Sequence, residues 1–181
     1  MSMKLHEAIK FATIKHNGQL RKGTDVPYIV HPMEVMQILL CSNASEDVVV
    51  AGVLHDTLED TDTTIDEIKQ KFGDYVAELV RGESEDKSKT WEKRKQATID
   101  ELKTASLDVK MVCLADKLSN LRSIYSDYQL VGDKLWDRFN RSKKQIAWYY
   151  IQIANTLVDM KGNSLYDQYA NCLDEVVKII K

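Results

Sequence analysis

The sequence predicts an all-α fold in a single compact domain over residues 1–181, and three observations carry that expectation. Only two prolines and seven glycines interrupt the chain, so helices can run long. Apolar residues recur at three- and four-residue spacing through most segments. No apolar–polar alternation is strong enough to claim a sheet, and no internal repeat or long linker divides the sequence. With 44% hydrophobic and 29% charged residues over 181 positions, the chain can bury one core and is too apolar for disorder.

The elements follow in order. "KLHEAIKFATIKH" (4–16) carries Leu5, Ile9, Ala12 and Ile14 at near-helical spacing, with Gly18 as its stop. The loop "NGQLRKGTDVPY" comes next, and Pro32 fits the first turn of a helix through Val35, Met36, Leu39 and Leu40. Ser45 is the expected N-cap of the helix holding "VVVAGVLHD". Thr64 and Glu67 have the spacing of a capping box for "IDEIKQKF", which Gly73 ends. "DYVAELVRG", a polar stretch over 82–90 and "WEKRKQATIDELK" precede a helix over 109–125 that contains "VKMVCLADKLSNLRSIY". Two further helices are expected over 133–160 and 164–180, separated by Lys161, Gly162 and Asn163.

Composition excludes several classes of function. A formal net charge of −3 argues against a general polyanion binder, so no nucleic-acid partner is expected. No apolar run approaches the roughly 18 residues of a membrane span, and "MSMKLHEAIK" is no signal peptide. Cys41, Cys113 and Cys172 are far apart and lack CxxC spacing, which fits reduced thiols and a cytoplasmic location.

The stretch "VLHDTLEDTDTT" (53–64) does not fit a plain helix. It closes the apolar run "VVVAGVL" and then places one histidine and four acidic residues within eight positions. A solvated helix end accounts for the same residues. Carboxylates at a helix C-terminus oppose the macrodipole, however, and burying them costs several kcal/mol unless a cation compensates. A divalent metal answers both objections, with His55 and Asp56 supplying one nitrogen and one oxygen. His31 stands just before a helix opened by Pro32, and Asp116 interrupts the apolar run "MVCLADKL", with Asn120 one turn later. Singly, His31 reads as a cap or core histidine and Asp116 as a buried ion-pair partner. Together, His31, His55, Asp56 and Asp116 form the pattern of a mixed N/O metal site.

The order His31, His55-Asp56, Asp116 resembles the HD-domain metal-dependent phosphohydrolases, which use this set in an all-helical HD-domain fold. "RKGTDVPYIVHP", "HDTLEDTDTT" and "LADKLSNLR" are similar, in the same order, to the hydrolase domain of the RelA/SpoT alarmone enzymes, above all to the small stand-alone hydrolases related to the metazoan SpoT homologue. The resemblance covers roughly residues 3–150. It implies a hydrolase that removes the 3′-pyrophosphate of guanosine tetra- or pentaphosphate, usually with one Mn²⁺; Zn²⁺ or another transition metal can occupy such a site in preparations. Carried over residue by residue, it implies His31, His55, Asp56 and Asp116 as metal ligands. Glu59 and Asp60 would orient and activate water; Arg21 and Lys22 would lie against the nucleotide, and Asn120 near the ribose. Arg141 aligns with a nucleotide-pocket arginine, while Gln145 or Lys144 stands where relatives carry a tyrosine.

The residues themselves agree with these roles. Carboxylates one turn from metal ligands can accept a proton, and an Arg-Lys pair offers a planar fork and a point charge to phosphate. "LRKG" could also be a solvated basic loop, and "DKSKTWEKRK" (86–95) either a source of cations at a pocket mouth or an exposed polar loop. Two alternatives to alarmone hydrolysis remain open: a phosphatase acting on NADPH or another nucleotide, and a nucleotide-binding module without catalysis. The intact Glu59-Asp60 pair counts against the second.

Overall fold

The computed structural model describes residues 2–180; Met1 and Lys181 lie outside the described residues. The described residues form an all-helical array whose sole extended pairing is an isolated bridge between Leu20 and Pro27. Helix α1 (Met3–Lys15) starts at Ser2, whose hydroxyl accepts the Leu5 N–H. Helices α2 (Val30–Cys41) and α3 (Glu46–Leu54) form the centre. Every residue of α3 from Val48 to Leu54 is buried, as expected of a helix apolar on all sides. It is wrapped by α1, by α2, by α6 (Asp74–Glu83) and by α8 (Leu107–Val131). Between α3 and α6 lie the short α4 (Thr57–Asp60) and α5 (Ile65–Phe72); α7 (Trp91–Leu102) packs on α9 (Lys143–Thr156), and α10 (Ser164–Ile180) packs on α8 and α9.

The 25-residue α8 is the spine. It buries Met111 to Asp116 without interruption, so an aspartate is carried to the middle of the molecule on an otherwise apolar turn. Ser106 caps its start, and Gly132 ends it with φ of 58°. The helix therefore runs beyond the expected 109–125, because Tyr128, Leu130 and Val131 continue it and only glycine supplies the left-handed stop.

Two local expectations are corrected. The Thr64 hydroxyl accepts the Glu67 N–H, but the Glu67 carboxylate turns to Lys15 at 3.3 Å, so only half the capping box forms. The helix expected over 133–160 is broken into a 3-10 turn (Gly132–Arg138), extended backbone at Phe139, α9, and a second 3-10 turn (Val158–Met160). Ser142 makes a full reciprocal capping box with Gln145 and so starts a new helix there. No helix among the described residues is long and apolar enough to cross a membrane.

Gly52 fixes the approach of α3 to α2. A Cβ at that position would lie 2.4 Å from Leu39 Cδ1 and 3.1 Å from Val35 Cγ1. Both neighbours are fully buried, so neither can swing away. Gly52→Ala is expected to lower stability by about 1–3 kcal/mol through overpacking. The same strain should loosen metal binding, since α2 carries His31 and the Gly52 carbonyl holds His55. Denaturant unfolding and metal titration of the variant check both.

Candidate active site

The end of α3 builds the centre. Its last carbonyls lack helical partners and are taken by side chains: His55 Nδ1–H donates to Gly52 O at 2.8 Å, and Thr57 Oγ1–H donates to Leu54 O at 2.7 Å. The chain breaks at His55-Asp56 and resumes as α4, which turns the imidazole and the carboxylate inward. His31 arrives from the first turn of α2 and Asp116 from mid-α8. One donor atom each from His31, His55 and Asp116 lies within 4.8 Å of the others. The two Nε2 atoms are 3.2 Å apart, and Asp116 Oδ1 is 3.1 Å from His31 Nε2 and 3.8 Å from His55 Nε2. Asp56 Oδ2 joins at 2.9 Å from His55 Nε2 and 3.5 Å from His31 Nε2. Donors each about 2.0–2.2 Å from one ion would be separated by such distances.

The hydrogen bonds behind the histidines decide what those donors present. His55 uses Nδ1–H on the Gly52 carbonyl, so neutral His55 turns a lone pair inward at Nε2. His31 Nδ1 lies 2.8 Å from Ser119 Oγ, whose own proton goes to Glu34 Oε2 at 2.7 Å, so Nδ1 of His31 donates as well. Two imidazole nitrogens and two carboxylates thus converge in a buried space, which calls for compensating positive charge, from a divalent ion or, without one, from a proton on His55. The residues fit a divalent ion, with the outer hydrogen bonds that usually orient metal-bound imidazoles. Burial disfavours charge on His55, yet the Asp56 and Asp116 carboxylates and the Gly52 carbonyl together outweigh it and draw the imidazole up to about 9. His31, where burial dominates, is pulled below its ordinary value. Asp56 and Asp116 stay far below the usual carboxylate range despite burial, Asp56 through His55 and Asp116 chiefly through the Lys117 ammonium.

A shell of polar groups surrounds this centre. Lys117 Nζ pairs with Asp116 Oδ2, leaving Oδ1 to face the histidines. Asn120 Nδ2 donates to Asp116 Oδ1 at 2.6 Å, and Arg21 Nη2 donates to Asn120 Oδ1 at 2.9 Å, which links the basic loop to a proposed ligand. Tyr28 O–H donates to Asp56 Oδ2 at 2.6 Å and lies 3.3 Å from Asp60 Oδ2. Asp60 also pairs with Lys87 at 2.7 Å. Glu59 accepts the Glu85 N–H at 3.3 Å, and burial raises its carboxyl above the ordinary value. Burial likewise pushes the Glu83 carboxyl up to about 8, against the pull of Lys117.

A cavity of about 570 Å³ opens beside His31, and Arg21, Lys22 and Asn120 are among the residues that line it. Glu59 and Asp60 flank the centre through Lys87 and Tyr28, not through direct contact with the histidines. Arg141 lies outside the cavity: it sits over the Trp91 ring at 5.5 Å and faces Glu92 at 3.6 Å. Arg138 takes the cavity wall instead. No role for Tyr28, Lys117, Ser119 or Arg138 is legible in the sequence. Tyr28 lay inside the quoted "PYIVHP", and Lys117 directly beside Asp116, but nothing in spacing alone says where a tyrosine hydroxyl or an ammonium will point.

Known proteins resemble this chain in sequence and fold. A family model for the HD domain matches residues 8–145. The guanosine-3′,5′-bis(diphosphate) 3′-pyrophosphohydrolase MESH1 of Homo sapiens is 44% identical over 123 residues, which cover 66% of this chain and 69% of that protein. The MESH1 of Drosophila melanogaster is 37% identical over 166 residues, covering 90% and 88%. Among solved structures, a Listeria monocytogenes EGD-e protein superposes with a TM-score of 0.76 at 37% identity, over 82% of this chain and 99% of its own. A metazoan orthologue of SpoT, reported to hydrolyse ppGpp, superposes with a TM-score of 0.77 at 29% identity, over 98% and 96%. The matched span holds both histidines and both aspartates of the buried centre, and the likeness continues through the helices that deliver them: this chain belongs to the HD domain family.

Proposed function

We propose that the protein is a metal-dependent hydrolase that removes the 3′-pyrophosphate from guanosine tetra- and pentaphosphate, giving GDP or GTP and pyrophosphate. One observation carries the reading: the convergence of His31, His55, Asp56 and Asp116 at a cavity lined by Arg21 and Lys22. Relatives named for this reaction support it. The whole of 1–181 acts as one hydrolase domain, in the cytoplasm, where three separate free cysteines stay reduced. Mn²⁺ is the proposed ion.

His31, His55, Asp56 and Asp116 would hold a divalent ion, which when bound would polarise a phosphoryl oxygen and acidify water. The remaining work belongs to the chain. Arg21 and Lys22 place positive charge against the phosphates. Asn120 orients Asp116 and the Arg21 guanidinium at once. Tyr28 fixes Asp56 through its hydroxyl, and Lys117 keeps the far oxygen of Asp116 occupied. Glu59 and Asp60 hold the attacking water and take its proton. Its oxygen bonds to the phosphorus attached to the 3′-oxygen; the bond from that phosphorus to the 3′-oxygen breaks, and the 3′-oxygen receives a proton.

Mn²⁺-loaded protein incubated with guanosine tetraphosphate, NADPH and ordinary nucleoside triphosphates tests the assignment. Guanosine tetraphosphate should be consumed fastest. Phosphate release from NADPH alone would move the protein to another substrate within the same chemistry.

Arg21→Ala and Lys22→Ala should each weaken nucleotide binding. A charge-assisted contact is worth about 1.5–3 kcal/mol, so each dissociation constant should rise about tenfold or more. Equilibrium titration at low and high salt checks this; the Lys22 effect should shrink with salt. Arg21 also lies 5.7 Å from the Tyr28 ring, so its loss should additionally disturb the groups around Asp56.

A further inference from the structure

The cavity beside His31 ends on an ion pair that the chemistry above does not use. Asp116, Asn120, Ser123 and Asp127 follow one another at spacings of four, three and four on α8, which keeps them on one face. The last three line the cavity. Eleven residues carry this stripe about 16 Å along the helix axis, so Asp127 stands at the end remote from the metal ligands. A substrate whose reacting phosphate lies by Asp116 would extend its base in that direction.

Asp127 is built into place. Arg138 Nη1 donates to its Oδ2 at 2.5 Å, while Oδ1 accepts no hydrogen bond from the described residues. The Arg138 stem crosses Gly23 so closely that a Cβ there would meet Arg138 Cγ at 2.7 Å and Cδ at 2.8 Å. Gly23 also has φ of 71°, and it directly follows Arg21 and Lys22. The basic loop and the Asp127–Arg138 pair therefore form one continuous wall. Phe139 and Tyr150 also line the cavity and offer aromatic rings suited to packing against a flat base.

On the hydrolase reading, we infer that Asp127, fixed by Arg138, recognises the guanine edge of the substrate and is a specificity-determining residue. An ionised carboxylate only accepts hydrogen bonds. Guanine presents two adjacent donors, N1–H and the 2-amino group, to such an acceptor. Hypoxanthine keeps N1–H and lacks the amino group. Adenine offers a lone pair at N1, which the carboxylate repels. A site that hydrogen-bonds a substrate N–H rejects analogues lacking it, because its own polar group is then left unpaired. The order of preference is guanine, then hypoxanthine, then adenine.

Equilibrium binding of guanosine, inosine and adenosine 3′,5′-bisphosphates to Mn²⁺-loaded protein tests the inference without turnover. The parent protein should favour guanosine over adenosine by about ten- to a hundredfold. Asp127→Ala should bring the three ligands within about threefold of one another, chiefly by weakening guanosine. Asp127→Asn, which keeps the size and presents one donor and one acceptor, should lose most of the preference too and guards against a folding defect in the alanine variant. Undiminished preference in both variants, or no base preference in the parent, overturns the inference. Lost base preference with pyrophosphate release intact leaves the hydrolase reading standing, whereas intact base preference without turnover removes that reading alone. Failure of the parent to bind any of the three removes both.

Discussion

His55→Ala and Asp116→Asn proteins should fold and lose their metal. In each, one donor is removed from a centre whose imidazole nitrogens lie 2.9–3.8 Å from the carboxylate oxygens and 3.2 Å from each other. Removing only an outer-shell partner typically costs 10- to 100-fold in metal affinity, so loss of a ligand should cost at least about a hundredfold. Metal analysis after dialysis should fall from about one ion per chain to a small residue, and turnover should fall with it. Asparagine is the informative change at Asp116. Asparagine keeps an oxygen that can accept from the buried Lys117 ammonium, whereas alanine leaves that ammonium with neither counter-charge nor acceptor on this residue, and breaking such a pair outright costs about 3–5 kcal/mol of stability. A second readout separates lost metal from lost fold: saturating metal at 100 times its dissociation constant stabilises a folded protein by about 2.7 kcal/mol, an increment the parent should show and the variants should lack. Undiminished stoichiometry in both folded variants would overturn the ligand assignment.

Glu59→Ala and Asp60→Ala should produce the opposite pattern, with metal retained and turnover reduced about 10²-fold or more. Neither carboxylate touches a histidine of the centre. Glu59 is held by the Glu85 N–H, and Asp60 by Lys87 and Tyr28. Lys87 is half-exposed, so freeing it from Asp60 should cost less than about 1 kcal/mol in stability. Steady-state rates beside metal analysis on the same samples check this. Turnover near that of the parent in both variants would place water activation on other residues.

These contrasts show why part of the site was legible in the sequence. Asp116 and His55 stand out because a polar side chain interrupts or ends a run apolar enough to be buried, and such an exception needs a compensating partner. The helices were legible for the same reason, since periodicity reports which face is buried. What periodicity cannot report is how two distant segments meet. Arg138 and Arg141 are three residues apart, and one continuous helix would have set both on nearly one face. Extended backbone at Phe139 and the Ser142 capping box separate them: Arg138 closes on Gly23 and Asp127, while Arg141 packs on Trp91. Tyr28 reaches Asp56 only because the loop before α2 folds back over the end of α3.

The central claim is the bond that breaks and its dependence on the buried centre. Phosphorus NMR of guanosine tetraphosphate turned over by the Mn²⁺-loaded protein follows it directly, with a chelator-treated sample and the same sample re-supplied with Mn²⁺ alongside. The expected result is GDP and pyrophosphate in equal amounts, halted by the chelator and restored by the metal. Intact guanosine tetraphosphate in the presence of one bound ion per chain, or orthophosphate as the first product, would contradict it.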